Sequence, residues 1–243
     1  MPESLVAPFI RQDWDAYSDE QHSVWATLYA RRIPTLRATA SQVFLDGVDA
    51  IGLESECIPV LAVLNRRLAA RTGWSALPVE GFLPASEFFR CLSQRAFPTT
   101  VTIRPADSLD YVPEPDIFHD VFGHVPLHAD PVFADFLQRF GEVACRADDP
   151  DSVQRLARLF WFTVEFGLIR ERGAIKVYGS GLISSHADAA KALGPDCDRR
   201  PFDLDAVLEQ PFEIDQLQQV LFVVEDFGQL FDAVAEVGNR ISG

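Results

Sequence analysis

Cysteine is scarce. The 243 residues hold four, at Cys57, Cys91, Cys145 and Cys197, and none stands in a C-x-x-C pair. That spacing argues against a thiolate zinc site and against a disulfide framework. The opening Met1-Pro2-Glu3-Ser4 has no basic stretch and no apolar run behind it, so no secretory signal is read. No run of 18 apolar residues occurs, which leaves no membrane-span candidate. Positive charge is short too: 21 Lys and Arg against 36 Asp and Glu give a net charge of −15. A chain this acidic repels phosphate backbones and anionic lipid, so nucleic acid and membrane surfaces are poor partners. Repeats, low-complexity segments and flexible linkers are absent as well. The expectation is one domain over 1–243, with 1–16 as an irregular arm, in the reducing cytoplasm.

What is present is mostly helical patterning. Ser18 and Gln21 form a capping box ahead of Val24, Trp25, Leu28 and Tyr29. Pro59 suits the first turn of a helix that ends at Gly73. Ser86 is placed to cap a short helix through Phe88, Phe89 and Leu92. Asp130-Pro131 starts another helix, a longer one is read from Ser152 to Arg172 ending at Gly173, and a last one begins near Asp226. Strands are few and short: Val101 and Ile103, Ile175 to Tyr178, and Val220 to Val224. Helices follow helices without strands between them, so the fold class expected is mainly α, a single multihelical domain with a few short strands.

Histidine is also rare, at five positions, and three of them (His119, His124, His128) fall within ten residues. His119 and His124 are five apart. On a straight α-helix that separates two side chains by about 140°, so convergence needs a bend or an unwinding, which Gly123 permits. Glu165 lies in the apolar run Phe160 to Leu168. A carboxylate so placed is buried, and a buried charge must be paired or bound to metal. Two imidazoles and one carboxylate are the ligand set of non-haem Fe(II) oxygenases. The residues alone leave three alternatives open. Glu165 pairs with an arginine; or the trio holds a catalytic zinc, with Asp120 as the hydrolytic base; or the metal is structural. His128 and His186 are read as non-ligands, and Tyr178-Gly179-Ser180-Gly181 as a turn.

Longer motifs carry a resemblance. They are Glu114-Pro115-Asp116-Ile117-x-His119-Asp120-x-x-Gly123-His124-Val125-Pro126, then Trp161-Phe162-Thr163-Val164-Glu165-Phe166-Gly167, then Ile175-Lys176-x-Tyr178-Gly179-x-Gly181-Leu182-x-Ser184-Ser185. Thr72-Gly73-Trp74, Phe97-Pro98 and Gln229-Leu230-Phe231-Asp232 join them. In order, from about residue 17 to residue 235, the chain resembles the pterin-dependent aromatic amino acid hydroxylases, in particular their short bacterial members that act on phenylalanine.

The resemblance implies that His119, His124 and Glu165 bind Fe(II). It implies that tetrahydrobiopterin or a related tetrahydropterin stacks on Phe88 beside Gly81 and Leu83, with Asp120 reaching it through water. It further implies that the amino acid ring lies near Trp161 and Phe166, with its carboxylate on Arg104 and with Ser184 nearby. The implied reaction converts L-phenylalanine to L-tyrosine with O2. Tryptophan, tyrosine or another ring position remain the rivals, because pocket shape discriminates them by only about 1–3 kcal/mol per group. Two positions depart from the family: Phe160 where Tyr is common, and Val112 where animal members carry Thr. No regulatory domain or tetramerising heptad tail is read, so a monomer is expected.

Overall fold

The computed structural model describes residues 9–110, 114–214 and 218–242. Val112 lies outside them. The chain opens with a short 3-10 turn and then α1 (Asp19–Thr39), α2 (Gln42–Ile51), α3 (Leu61–Arg71), β1 (Ser75–Val79), α4 (Ala85–Ser93) and β2 (Ala96–Thr100). A π-helical turn, Phe118–His124, runs into a 3-10 turn, Val125–Ala129, and then α5 (Pro131–Ala144) and α6 (Pro150–Phe160). A second π-helical turn, Trp161–Glu165, precedes β3 (Leu168–Glu171), β4 (Ala174–Val177), α7 (Ser180–Ser184), α8 (His186–Leu193), β5 (Asp198–Pro201), α9 (Leu204–Glu209), β6 (Val220–Val224) and α10 (Phe227–Ser242). The mainly helical expectation holds. Among the described residues no helix is long and apolar enough to cross a membrane.

Several local expectations hold in detail. Ser18 and Gln21 form the full reciprocal capping box at α1. Asp130 caps α5 through the Phe133 N–H, with Pro131 in its first turn. Others shift. Ser86 lies inside α4, which begins after Pro84. The strand expected at Val101 and Ile103 sits just before them, because Ala96–Thr100 is the stretch that pairs in parallel with Ser75–Val79.

The largest correction concerns the helix expected from Ser152 to Arg172. It starts at Pro150, becomes the π-helical turn after Phe160, and gives way to β3. Gly173 is not its stop signal. Arg172 (φ 51°) and Gly173 (φ 80°) make the two-residue turn of the β3–β4 hairpin. Positive φ at both central residues is what a type I′ hairpin needs. The apolar run Phe160 to Ile169 hid the change of period. In the four-stranded sheet, ordered β4-β3-β6-β5, only the β3–β4 pair is antiparallel.

The first π-helical turn is bolted to α1 and α2 by its outer face. Phe118 and Phe122 are fully buried and stacked on each other at 4.6 Å. Trp25 meets Phe118 at 5.3 Å, while Tyr29 and Phe44 meet Phe122 at 5.3 and 5.9 Å. Each buried Phe contributes about 1.5–3 kcal/mol of apolar burial. That burial leaves the opposite face, carrying both histidines, no freedom to rotate.

Candidate active site

The unwinding expected at Gly123 is a π-helical turn over Phe118–His124. Its i→i+5 hydrogen bonding brings residues five apart onto one face, which is how His119 and His124 converge. Glu165 closes the second π-helical turn. One ligand atom from each of His119, His124 and Glu165 lies within 4.8 Å of the others. His124 Nε2 is 3.2 Å from Glu165 Oε1, and His119 Nε2 is 3.7 Å from Oε2. Burial alone would raise the Glu165 carboxyl, but the two imidazoles and the Ser180 hydroxyl overcome it and hold the group at about 2. Glu165 is therefore a carboxylate at neutral pH.

The surrounding hydrogen bonds fix the ligands. Ser184 Oγ donates to the Ser180 carbonyl at 2.8 Å, so toward His119 Nδ1, 2.9 Å away, it accepts. His119 thus donates from Nδ1, and Nε2 is the ring nitrogen that faces the centre, as in a metal-bound imidazole. Ser180 Oγ donates to Glu165 Oε2 at 2.6 Å. Asp116 accepts from the His119 N–H at 2.9 Å and from the Arg104 N–H at 3.0 Å. It also takes the Arg104 guanidinium bidentately, both contacts being 2.8 Å. Burial would raise Asp116, and Arg104 more than offsets it, so the carboxyl lies below its ordinary value.

Of the residues expected around a pterin, Phe88 connects to this centre through packed rings. Phe88 is half-buried on α4, with its ring edge-on to Phe97 at 5.9 Å and to Phe160 at 5.6 Å. Phe97 in turn lies 4.5 Å from the His124 ring. Gly81 has open space around it, and Leu83 is half-buried in the same loop. Asp120 is buried, and its Oδ2 accepts from Thr100 N at 2.7 Å and from Thr100 Oγ1 at 2.8 Å. Burial pushes its pKa up against the pull of His119, Thr100 and His124.

Of the residues expected around the substrate, Trp161 packs against Phe166 and Phe212, each 4.7 Å away. The Arg104 fork is committed to Asp116, and its Nη1 also donates to Leu109 O at 3.1 Å. A substrate carboxylate would meet only the N–H groups left at its tip. Ser184 likewise has its proton on Ser180 and one lone pair on His119, so contact with a substrate draws on the second lone pair.

His186 is no part of the cluster, since its Nδ1 faces Arg32 at 3.3 Å. His128 is fully buried, and among the described residues neither of its ring nitrogens has a hydrogen-bond partner. Sequence reasoning missed Ser180, Thr100, Phe97 and Phe212. The Gly-x-Gly around Ser180 was the one available signal.

A closed structural zinc site needs a fourth protein ligand, and the described residues bring only three together here. Two imidazole nitrogens, one carboxylate and no thiolate suit a borderline or hard divalent ion with open positions, so the residues present fit ferrous iron. The fold and this facial trio define a mononuclear metal oxygenase.

Residues 14–242 match the family model for biopterin-dependent aromatic amino acid hydroxylases, and the chain belongs to that family. It is 44% identical over 200 residues to phenylalanine-4-hydroxylase of Caulobacter vibrioides, spanning 82% of this chain and 68% of the relative. The crystal structure of Chromobacterium violaceum phenylalanine hydroxylase with iron(III) and 7,8-dihydrobiopterin superposes with a TM-score of 0.92 at 39% identity, covering 97% of this chain and 86% of that one. The same bacterium's enzyme with iron and phenylalanine gives 0.90 at 37%, covering 98% and 88%.

Proposed function

We propose that this chain is a phenylalanine 4-monooxygenase, converting L-phenylalanine and O2 to L-tyrosine with Fe(II) and tetrahydrobiopterin or a related tetrahydropterin. The observation that carries the reading is the convergence of His119, His124 and Glu165, with His119 Nδ1 bonded to Ser184 and the Glu165 carboxylate bonded to Ser180.

When bound, iron and the pterin supply the electrons and the oxygen activation that no side chain here can provide. The protein's own part is placement. His119, His124 and Glu165 would hold the ion, and three protein ligands would leave positions open for small ligands. Phe88 offers a flat apolar surface to the heterocycle, beside Gly81 and Leu83. Asp120, its Oδ2 tied to Thr100, keeps its other oxygen for a water-bridged contact with the pterin. Trp161 and Phe166 form the wall that excludes water around the substrate ring. The free N–H groups of Arg104 receive the amino acid carboxylate, with Ser184 nearby.

The zinc-hydrolase alternative is disfavoured by the match of residues 14–242 to the biopterin-dependent hydroxylase family. We further propose a single catalytic unit that acts as a monomer in the cytoplasm, where its four free cysteines would stay reduced. Light scattering checks the monomer: a tetramer would refute it.

Product analysis tests the function. Anaerobically reduced protein is loaded with Fe(II), then given phenylalanine, a tetrahydropterin and air. Para-tyrosine stoichiometric with phenylalanine lost is expected. In Glu165→Ala it should vanish, a larger loss than the roughly 10–100-fold typical of an outer partner. Pterin oxidation without tyrosine would move the assignment to tryptophan or another ring position. No oxygen uptake with iron bound would end the monooxygenase reading.

A further inference from the structure

The segment Tyr178-Gly179-Ser180-Gly181 does more than turn the chain. A Cβ on Gly179 would sit 2.5 Å from the Glu165 carbonyl oxygen and 2.4 Å from Gly167 N. One on Gly181 would sit 2.9 Å from the Phe166 ring and 3.1 Å from the same carbonyl oxygen. Real Cβ atoms do not come as close to backbone as one on Gly179 would, so Gly179 lets the start of α7 lie directly on the backbone of Glu165, and Gly181 leaves room for the Phe166 ring. From the other side, a Cβ on Gly123 would lie 3.2 Å from Ser180 Cβ. Ser180 is therefore gripped between the two π-helical turns that carry the ligands, and it is 1% exposed.

Its hydroxyl reaches the Glu165 carboxylate rather than a carbonyl of its own turn. Ser184, at the far end of the same five-residue helix, reaches His119. The helix is braced from behind by Arg32 of α1, which is buried and donates to Leu182 O at 3.0 Å and Ile183 O at 2.8 Å. Burial lowers the Arg32 pKa to about 10, still well above neutrality, so the brace stays charged.

We propose that Ser180 is a positioning residue for the metal, tying Glu165 Oε2 so that Oε1 is the oxygen offered beside His124. The inference rests on the iron-site reading. A serine opening a short helix would ordinarily satisfy itself locally or face water. Here the glycines on both flanks, the seat at Gly123 and the Arg32 brace all set its place relative to Glu165.

The test titrates metal-free wild-type protein and Ser180→Ala with Co(II), followed by visible absorption, and melts each with and without Co(II). The expected result is a 10–100-fold loss of Co(II) affinity in Ser180→Ala, as for other partners of metal ligands. The cobalt spectrum should change, the metal-free melting temperature should stay near wild type, and the metal-induced gain should shrink. Arg32→Gln, which touches no ligand, should weaken affinity in the same direction by less. Unchanged affinity and spectrum in Ser180→Ala would overturn the proposal. So would a drop in the metal-free melting temperature with the metal-induced gain intact, because that marks a structural role only. Wild-type protein that binds no Co(II) would sink the metal reading itself, a result told apart by the wild-type titration.

Discussion

The two walls of the site are built on opposite plans. On the ligand wall, polar atoms are paired and then paired again: Ser184 between His119 and Ser180, Ser180 on Glu165, Asp116 on both Arg104 and His119. On the proposed cofactor wall, Phe88 meets Phe97 and Phe160 edge to face, Gly81 faces open space, and Phe82 beside it is 72% exposed. An ion demands fixed distances from a few atoms, so its ligands are over-determined. A flat heterocycle needs mainly area and an entrance. The contrast says that substitutions on the first wall act through geometry and stability, and on the second through affinity.

The largest expected effect tests the first half of that statement. Asp116→Ala leaves Arg104 buried without its partner and removes the acceptor for the His119 N–H. Breaking a buried pair from one side costs about 3–5 kcal/mol, and urea unfolding at pH 7.5 measures it. A loss below 1 kcal/mol would mean that the ligand wall does not depend on this pair. The pH dependence follows from the depressed carboxyl: its stabilisation is complete above the ordinary Asp value and is lost as pH falls through the lower folded value.

His128 breaks the rule of its own wall. It lies one turn past His124, stacked on Trp74 at 4.7 Å and 5.0 Å from Phe97. Burial and then the nearby His124 hold its pKa well below the ordinary value. It is a neutral imidazole with two unpaired nitrogens. Replacing it by Phe removes buried polar atoms that each cost about 1–3 kcal/mol when unsatisfied, so His128→Phe should raise the melting temperature. The sign with pH is definite. The unfolded chain takes up a proton here as pH drops below about 6.5 and the folded chain does not, so folding weakens toward acid. The advantage of the Phe variant should therefore grow, by about 1.4 kcal/mol one pH unit below that value. An advantage that shrinks toward acid would show that His128 protonates in the fold.

How legible this was depends on which residues set the geometry. Both histidines and Glu165 were readable because their types and neighbours announce them: rare imidazoles close together, and a carboxylate in an apolar run. Their convergence was only partly legible, since a five-residue spacing fits a straight helix badly and Gly123 permits an unwinding without announcing a π-helical turn. The burial of Phe118 and Phe122 on α1 and α2 fixes that turn, and long-range packing leaves no period of its own. The helix expected to run to Arg172 failed for a related reason. A continuous apolar stretch reads the same whether it ends as buried helix or as buried strand, and the β6 partner that decides the matter is some fifty residues away. Ser180 was passed over because glycines were read as freedom to turn, when here they give closeness of approach.

A smaller effect probes the second wall. Phe88→Leu keeps apolar volume but removes the flat face. An aromatic pair is worth about 0.5–1.5 kcal/mol beyond its area, so the KM for the tetrahydropterin should rise roughly two- to tenfold, with Co(II) affinity unchanged. If Co(II) affinity falls as well, the two walls are not independent, and the Phe88–Phe97–His124 contacts couple them.

The smallest effect belongs to the seam between the walls. Phe160 ends α6, touches Phe88 at 5.6 Å and Phe140 at 5.5 Å, and leads into the turn that closes at Glu165. The family resemblance implies a phenol at this position, so this chain lacks one hydroxyl between the proposed cofactor platform and the ligand turn. No ligand is touched by Phe160→Tyr, which should leave Co(II) affinity and the pterin KM near wild type. The quantity expected to move is tyrosine formed per pterin consumed, upward by about twofold or less, a few tenths of a kcal/mol in the partition between productive and wasted turnover. Simultaneous assay of tyrosine and oxidised pterin reads it. An unchanged ratio would place Phe160 wholly within the aromatic packing of the cofactor wall, with no part in coupling that wall to the other.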